Sequence, residues 1–239
     1  YGVCRKERFM NTPSVHAKRL TAACLLSIVG GFLDIYTYLY RGKVFANAVT
    51  GNMVLFGYSL AELQWRQCGR YLLAILFYAL GVFAAEFVHR KLPAFRRLGW
   101  HQLVIALELL CLAPVVFIPY GDFDFAVNAL IAFVCALQVQ TFRRVRGLPF
   151  ASTMCTGNLR SGTEALFQSG VTGDKDELAK AYHYYLVIGC FVAGAAAGAV
   201  LLKMFGHLIF LLAPLGLAAV FFLIAPPSQR PLWRLWRKA

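Results

Sequence analysis

Long apolar runs separated by short polar segments dominate the chain. A helix needs roughly 20 apolar residues to cross a hydrocarbon core of about 30 Å. Six stretches qualify, near residues 21–40, 71–89, 102–119, 124–142, 183–203 and 207–226. Two shorter helical segments are predicted near 51–64 and 157–169, after the first and the fourth run. The pattern predicts an all-α polytopic membrane protein with six transmembrane helices.

A short phrase occurs twice, each time just ahead of one of the shorter segments. "VFANAVTGNMV" covers residues 44–54 and "PFASTMCTGNLR" covers 149–160. With one inserted residue, the matched pairs are Gly42/Gly147, Phe45/Phe150, Ala46/Ala151, Thr50/Thr156, Gly51/Gly157 and Asn52/Asn158. The copies extend over about 20–119 and 124–226 and together form a single membrane domain, 1–239. Because each copy holds an odd number of spans, the second is predicted to be inverted relative to the first.

The distribution of charge predicts the orientation of these spans. Basic residues cluster before the first run, at 90–97, at 143–146 and near the C-terminal end, whereas the turn after the third run is acidic. Six spans place all basic clusters on one side, which the positive-inside rule assigns to the cytoplasm together with both termini. Each shorter segment then becomes a re-entrant loop followed by a half-helix. Such backbone is stable at membrane depth only where it is buried in protein or lines a water-filled cavity.

Composition agrees with residence in a lipid bilayer, the predicted partner. Of 239 residues, 59% are hydrophobic and 15% are charged, against about 45–50% and about 25% in soluble domains. The net charge of +13 could indicate nucleic-acid binding. The basic groups, however, flank apolar runs and form no stripe with interleaved aromatics, so no nucleic-acid partner is predicted. The small residues of "GAAAG", 194–198, predict helix-helix contact, within one chain or in a homo-oligomer.

The repeated Thr-Gly-Asn supplies the first group of candidate binding residues. Glycine permits a tight turn, threonine is suited to cap the half-helix that follows, and asparagine offers both donors and acceptors. A helix N-terminus inside the membrane can bind an anion or a polar group. The same side chains could instead serve only the backbone of their own loop. Both interpretations stay open.

Polar groups within the apolar runs supply the second group. Asp34 is the acid deepest in the first run, and Arg160 is its predicted partner, with Glu164 as the local rival for that arginine. Gln138 and Gln140 lie near the inverted counterpart of Asp34 and are predicted to bond between helices or to face the same cavity. The candidate substrate or pore residues are therefore Asp34, Phe45, Asn47, Thr50, Gly51, Asn52, Gln138, Gln140, Phe150, Thr156, Gly157, Asn158 and Arg160.

No constellation in the sequence points to catalysis. The seven cysteines form no C-x-x-C pair, and no nucleophile elbow, P-loop or metal-ligand spacing occurs. We therefore predict no enzyme activity, no metal and no cofactor. The alternating Tyr36, Tyr38 and Tyr40 are read as an aromatic belt at the membrane surface in preference to a substrate vestibule.

Three motifs resemble those of the bacterial YoaK-like family of integral membrane proteins of unknown function. They are G-G-x-x-D, F-A-N-x-x-T-G-N and Q-x-x-x-x-R-R followed by T-G-N, in "GGFLDIYTYLYRGKVFANAVTGNMV" and "ALQVQTFRRVRGLPFASTMCTGNL". Family members often carry Gln-Asn before the basic pair, where this chain has Gln138-Val139. The resemblance covers roughly 20–226 and implies a bacterial inner-membrane protein of about six spans. It implies no substrate.

The favoured hypothesis is a small-solute transporter or channel whose central site is formed by the two Thr-Gly-Asn tips. The alternative is a non-transporting membrane scaffold or regulatory protein in which the repeated phrases only stabilise packing. The two differ in whether a polar path connects the tips.

Overall fold

The structure, a computed structural model, describes residues 13–91, 99–142, 144–145, 148–149 and 155–224. In this part of the chain the α-helices are α1 Pro13–Tyr40, α2 Val49–Ala61, α3 Trp65–Lys91, α4 Trp100–Leu112, α5 Asp124–Thr141, α6 Cys155–Thr172, α7 Lys175–Phe205 and α8 Leu212–Ile224. Short 3-10 helices follow α4, Ala113–Phe117, and precede α8, Gly206–Leu211. The strands β1 Arg144–Val145 and β2 Leu148–Pro149 form a small antiparallel pair. The predicted helical architecture is confirmed.

Five helical stretches among the described residues are long and apolar enough to cross a membrane. They are Leu20–Tyr40, Trp65–Arg90, Trp100–Phe117, Asp124–Thr141 and Lys175–Ile224. The last has 50 residues, about 75 Å if it were one straight helix. It is divided at Gly206, where φ is 69° and α7 ends. Several long apolar helices make this a membrane-embedded protein.

The two short helices α2 and α6 follow the repeated phrases, as predicted. α2 has 13 residues, about 20 Å of helix, which is too short to cross a bilayer. α6 has 18 residues and begins earlier and ends later than the predicted 157–169. It is not among the apolar stretches, because polar side chains such as Asn158, Arg160 and Glu164 interrupt it.

Helices α1 and α5 form the centre of the bundle. In each of their apolar windows 67% of the residues are buried, against 22% in that of α3. α1 packs against α7 and α8, while α5 packs against α3 and α4. α2 lies on α3, α6 lies on α7, and α4 meets α8. If helices α1–α4 are exchanged with α5–α8, each of these helix contacts is converted into another contact of the same set or into itself.

Small residues allow the central helices to approach closely. A Cβ on Gly194 of α7 would lie 2.8 Å from the Cα of Ile28 in α1, and one on Gly198 would lie 2.8 Å from Phe32 Cδ2. In the other half, a Cβ on Gly81 of α3 would lie 2.5 Å from the carbonyl oxygen of Phe133 in α5. The prediction that "GAAAG" makes a helix-helix contact is thus confirmed, within the chain.

The contact between α1 and α7 can be tested by cross-linking. The thiols of Cys24 and Cys190 lie within hydrogen-bonding range of each other across it. Mild oxidation of the protein in membranes should therefore join them by a disulfide. With a protease site inserted at the exposed turn Gly121–Asp122, the two halves should stay together on a non-reducing gel after cleavage.

Cys24→Ala should abolish this joining, whereas Cys111→Ala, in α4, should leave it intact. Halves that separate fully in the oxidised wild type would contradict the packing of α1 on α7.

Candidate functional site

The carboxylate of Asp34 lies in the C-terminal third of α1 and is buried, with a relative exposure of 6%. Its Oδ1 accepts a hydrogen bond of 2.7 Å from the backbone N–H of Asn47. The neighbouring N–H groups of Ala46 and Ala48 also face it. Ala48 is the N-cap of α2, so the carboxylate lies at the partly positive N-terminus of the first half-helix. The negative charge that this helix end favours is supplied by the chain itself.

Asn47 ties the tip of the first loop to α1. Its Nδ2 donates to the carbonyl oxygen of Gly30 at 3.2 Å, and its side chain faces the thiol of Cys135 in α5. The loop, α1 and α5 therefore meet at Asp34. This juxtaposition joins two predicted site residues, Asp34 and Asn47.

Asn52 holds the backbone of its own loop. Its Oδ1 accepts from the N–H of Phe45 at 2.9 Å, and its Nδ2 donates to the carbonyl oxygen of the same residue at 2.7 Å. The Phe45 ring stacks on Tyr38 with centroids 4.7 Å apart. A Cβ on Gly51 would lie 3.1 Å from that ring. Of the two roles left open for Asn52, binding a ligand or serving the backbone of its own loop, the structure shows the second.

The predicted capping role of the two threonines is wrong. α2 begins at Val49 with Ala48 as its N-cap and no side-chain cap bond, so Thr50 lies within the first turn. Thr156 likewise lies within the first turn of α6, which begins at Cys155. Both helices start before the threonine, and both threonine side chains are exposed. Their hydroxyl groups therefore cap neither helix.

The second tip lies near the first. The thiol of Cys155, the first residue of α6, is within electrostatic range of Asp34. Asn158 is buried, with an exposure of 4%, while Gly157 is exposed. Phe150 lies outside the described residues. The N-terminus of α2 therefore contacts Asp34, and the first residue of α6 lies within electrostatic range of it.

The prediction that Arg160 partners Asp34 is wrong. Arg160 is exposed, and the carboxylate of Asp34 is buried against backbone N–H groups instead. The predicted rival pair of Arg160 with Glu164 does not form either, since both side chains are exposed without a bond between them. The physical reason is that N–H groups of an irregular loop need acceptors at this depth, where no water supplies them.

The two glutamines of α5 lie in different environments. Gln138 is buried and its Nε2 donates to the carbonyl oxygen of Leu26 in α1 at 3.5 Å, as predicted for a bond between helices. Gln140 donates to Glu86 of α3, which also pairs with Arg90 at 3.3 Å. Gln140 therefore belongs to the end of the α3–α5 contact. It does not belong to the Asp34 centre, defined here as Asp34 and Asn47 together with Tyr78, Cys135 and Cys155, whose side chains lie within electrostatic range of Asp34.

A buried arginine that sequence reasoning missed closes one end of the bundle. Arg41, directly after α1, is 1% exposed. Its Nη1 lies 2.9 Å from Asp124 Oδ1, and its Nε donates to the Tyr36 hydroxyl at 2.9 Å. It also donates to the carbonyl oxygens of Pro119 at 2.8 Å and Ile118 at 2.7 Å. These residues form the Arg41 cluster.

Aromatic rings complete the Arg41 cluster. The guanidinium lies 4.5 Å from the centroid of Tyr120 and 5.5 Å from that of Tyr36. Burial raises the pKa of the Tyr120 phenol, which Arg41 opposes, so the ring stays neutral beneath the cation. Tyr36 is 1% exposed and its ring lies 4.5 Å from that of Phe210. The aromatic-belt interpretation is wrong for Tyr36, because its hydroxyl serves Arg41.

The fold and the Asp34 centre together define a polytopic helical membrane protein with a buried polar centre. Its family follows from comparison with known families. The chain belongs to the family described as "Protein of unknown function (DUF1275)", whose model matches residues 22–224. This agrees with the resemblance to YoaK-like proteins. No curated protein and no solved structure matches the chain.

Proposed function

We propose that the protein is a small-solute transporter of the bacterial inner membrane, with its binding site at the Asp34 centre. The observation that carries the proposal is the convergence of both half-helices on one buried carboxylate. Asn47 precedes α2 and bonds to Asp34, while Cys155 begins α6 within electrostatic range of it. Tyr78 of α3 and Cys135 of α5 lie within the same range. Intramembrane carboxylates are costly and mark solute or ion pathways.

An arrangement of two inverted repeats with six spans and cytoplasmic termini completes the proposal. The symmetry of the helix contacts supports it, since the set of contacts stays the same when α1–α4 are exchanged with α5–α8. Two crossings within Lys175–Ile224, divided at Gly206, would give the odd number of spans that each repeat needs. Most of the basic clusters that indicate orientation lie outside the described residues.

The Arg41 cluster then closes the outer end of the pathway. It joins the end of α1 to the turn before α5, far along the chain from the cytoplasmic end of α1. A transporter must seal one side while the other is open. The structure would accordingly represent a state closed to the outside.

The charge of the Asp34 centre indicates the class of solute. The N-terminus of α2 already holds the Asp34 carboxylate, so it has little capacity left for an anion. Arg41 is committed to Asp124, and Arg160 is exposed away from Asp34. A neutral polar or cationic solute therefore fits better than an anion.

The test is flux into proteoliposomes that contain the purified protein. The panel holds potassium, guanidinium and choline as cations, chloride and acetate as anions, and glycerol and urea as neutral solutes. We expect uptake of at least one cationic or neutral solute above that of empty liposomes, and no uptake of the anions. Asp34→Asn, which removes the negative charge and keeps the size, should reduce that uptake to background.

Asp122→Asn is the matched control, because it makes the same chemical change at an exposed turn and should transport normally. If no solute enters with a wild type that still forms the Cys24–Cys190 disulfide, the scaffold alternative replaces this proposal. Uptake of anions alone would contradict the assignment of the solute class.

A further inference from the structure

Glu108 differs from the other buried acids of the membrane region. It lies within α4 and has an exposure of 0%. Asp34 is bonded to Asn47 and Asp124 is paired with Arg41. Neither carboxyl oxygen of Glu108 has a hydrogen-bond partner among the residues that the structure describes. The side chain is thus held in the protein interior without serving the fold through a polar contact.

The surroundings of Glu108 contain thiols and no described cation. Cys111 of the same helix and Cys135 of α5 are titratable groups within its electrostatic range. α8, which also packs on α4, has no titratable residue between Leu212 and Ile224, and the 3-10 helix Ala113–Phe117 has none either. Cys135 is at the same time within range of Asp34. The thiol of Cys135 therefore lies within electrostatic range of both carboxyl groups.

A proton is the ligand that this environment fits. An ionised carboxylate without a partner is very costly in an apolar interior, while a neutral carboxylic acid costs far less. Calcium or magnesium would need about six oxygen ligands, whereas the side chains within electrostatic range of Glu108 include two thiols. Among the described residues no group of three or more His, Cys, Asp or Glu side chains could hold a metal ion.

We propose that Glu108 is a proton-binding site that couples proton movement to the exchange of a cationic solute at Asp34. This inference rests on the proposed function. A cation that enters beside Asp34 stabilises a negative charge on Glu108, since both carboxyl groups share the low-dielectric region around Cys135. The proton then leaves Glu108, and its return favours release of the cation. The two sites are reciprocally linked, which is the requirement for exchange.

The proton site is tested without any transport measurement. Infrared spectra of the purified protein in lipid, recorded as the pH is varied, report the C=O stretch of protonated carboxylic acids. We expect such a band at neutral pH in the wild type and its loss in Glu108→Gln. Glu164→Gln is the matched control, because the same substitution on the exposed face of α6 should leave the band unchanged. A wild-type band that persists in Glu108→Gln, or no band at all, would overturn the proton site.

Coupling is tested in liposomes loaded with potassium, guanidinium or choline and a pH-sensitive dye. Dilution into cation-free buffer should acidify the interior of wild-type vesicles as the cation leaves and protons enter. Glu108→Gln should lose this acidification, and Glu108→Asp, which keeps the acid, should retain part of it. Each variant must still form the Cys24–Cys190 disulfide, which excludes misfolding.

The outcomes distinguish a failure of the proton coupling from a failure of the proposed transport function. Cation efflux without acidification in the wild type would overturn the coupling while leaving transport in place. Absence of any efflux would overturn the proposed function, and the infrared band would still decide whether Glu108 binds a proton. Acidification that survives Glu108→Gln would assign the coupling to another group.

Discussion

Arg41→Ala is expected to destabilise the protein more than any other single substitution of a charged residue in the described region. It would remove a guanidinium that is 1% exposed and leave Asp124 buried without its partner. The carbonyl oxygens of Ile118 and Pro119 and the Tyr36 hydroxyl would also lose their donor. Breaking a buried ion pair from one side costs about 3–5 kcal/mol. The thermal unfolding midpoint of the detergent-solubilised protein should fall accordingly.

The control for this experiment is Arg90→Ala. Arg90 also pairs with an acid, Glu86, but its side chain is 78% exposed, so solvent screens the pair and the midpoint should not change measurably. The double variant Arg41→Met, Asp124→Leu removes both charges and should recover most of the loss. Equal effects of Arg41→Ala and Arg90→Ala would show that the Arg41 cluster is not buried as described.

Gly194→Ala is expected to have the second-largest effect, through packing alone. The added Cβ would lie 2.8 Å from backbone atoms of Ile28, and backbone cannot rotate away as a side chain can. Helices α1 and α7 would have to separate, and overpacking of this kind costs about 1–3 kcal/mol. The unfolding midpoint should fall, and the Cys24–Cys190 disulfide across the same contact should form more slowly.

Gly189→Ala makes the identical change on the same helix, five residues earlier along the chain. No described atom lies within 4 Å of a Cβ at Gly189. Alanine is the better helix former by about 0.8–1.0 kcal/mol, so this variant should be as stable as the wild type or more so. If both glycine variants behave alike, the close approach of α1 and α7 is contradicted.

The sequence alone determined the elements of the fold. The length of the apolar runs requires helices, because every backbone polar group in a bilayer must be satisfied within its own segment. The repeat of Thr-Gly-Asn located α2 and α6, although both helices begin earlier than the phrase suggests. Asp34 is recognisable from its residue type and depth, since polar groups in apolar runs are costly wherever they point.

Tertiary structure decided which of these groups meet. The partner of Asp34 is the backbone of residue 47 and not Arg160, because no spacing along the chain reveals which N–H groups a loop leaves unsatisfied. Arg41 reads in the sequence as one more basic residue at the end of a span. Arg41 becomes a buried partner of Asp124 only because the segment 118–124 packs against the end of α1 in the folded protein. The two carboxyl oxygens of Glu108 likewise lack a hydrogen-bond partner among the described residues, which the position of Glu108 in an apolar run does not reveal. Contacts between distant segments depend on packing in three dimensions. A single sequence shows the lengths of its apolar runs and the positions of its charges but not that geometry.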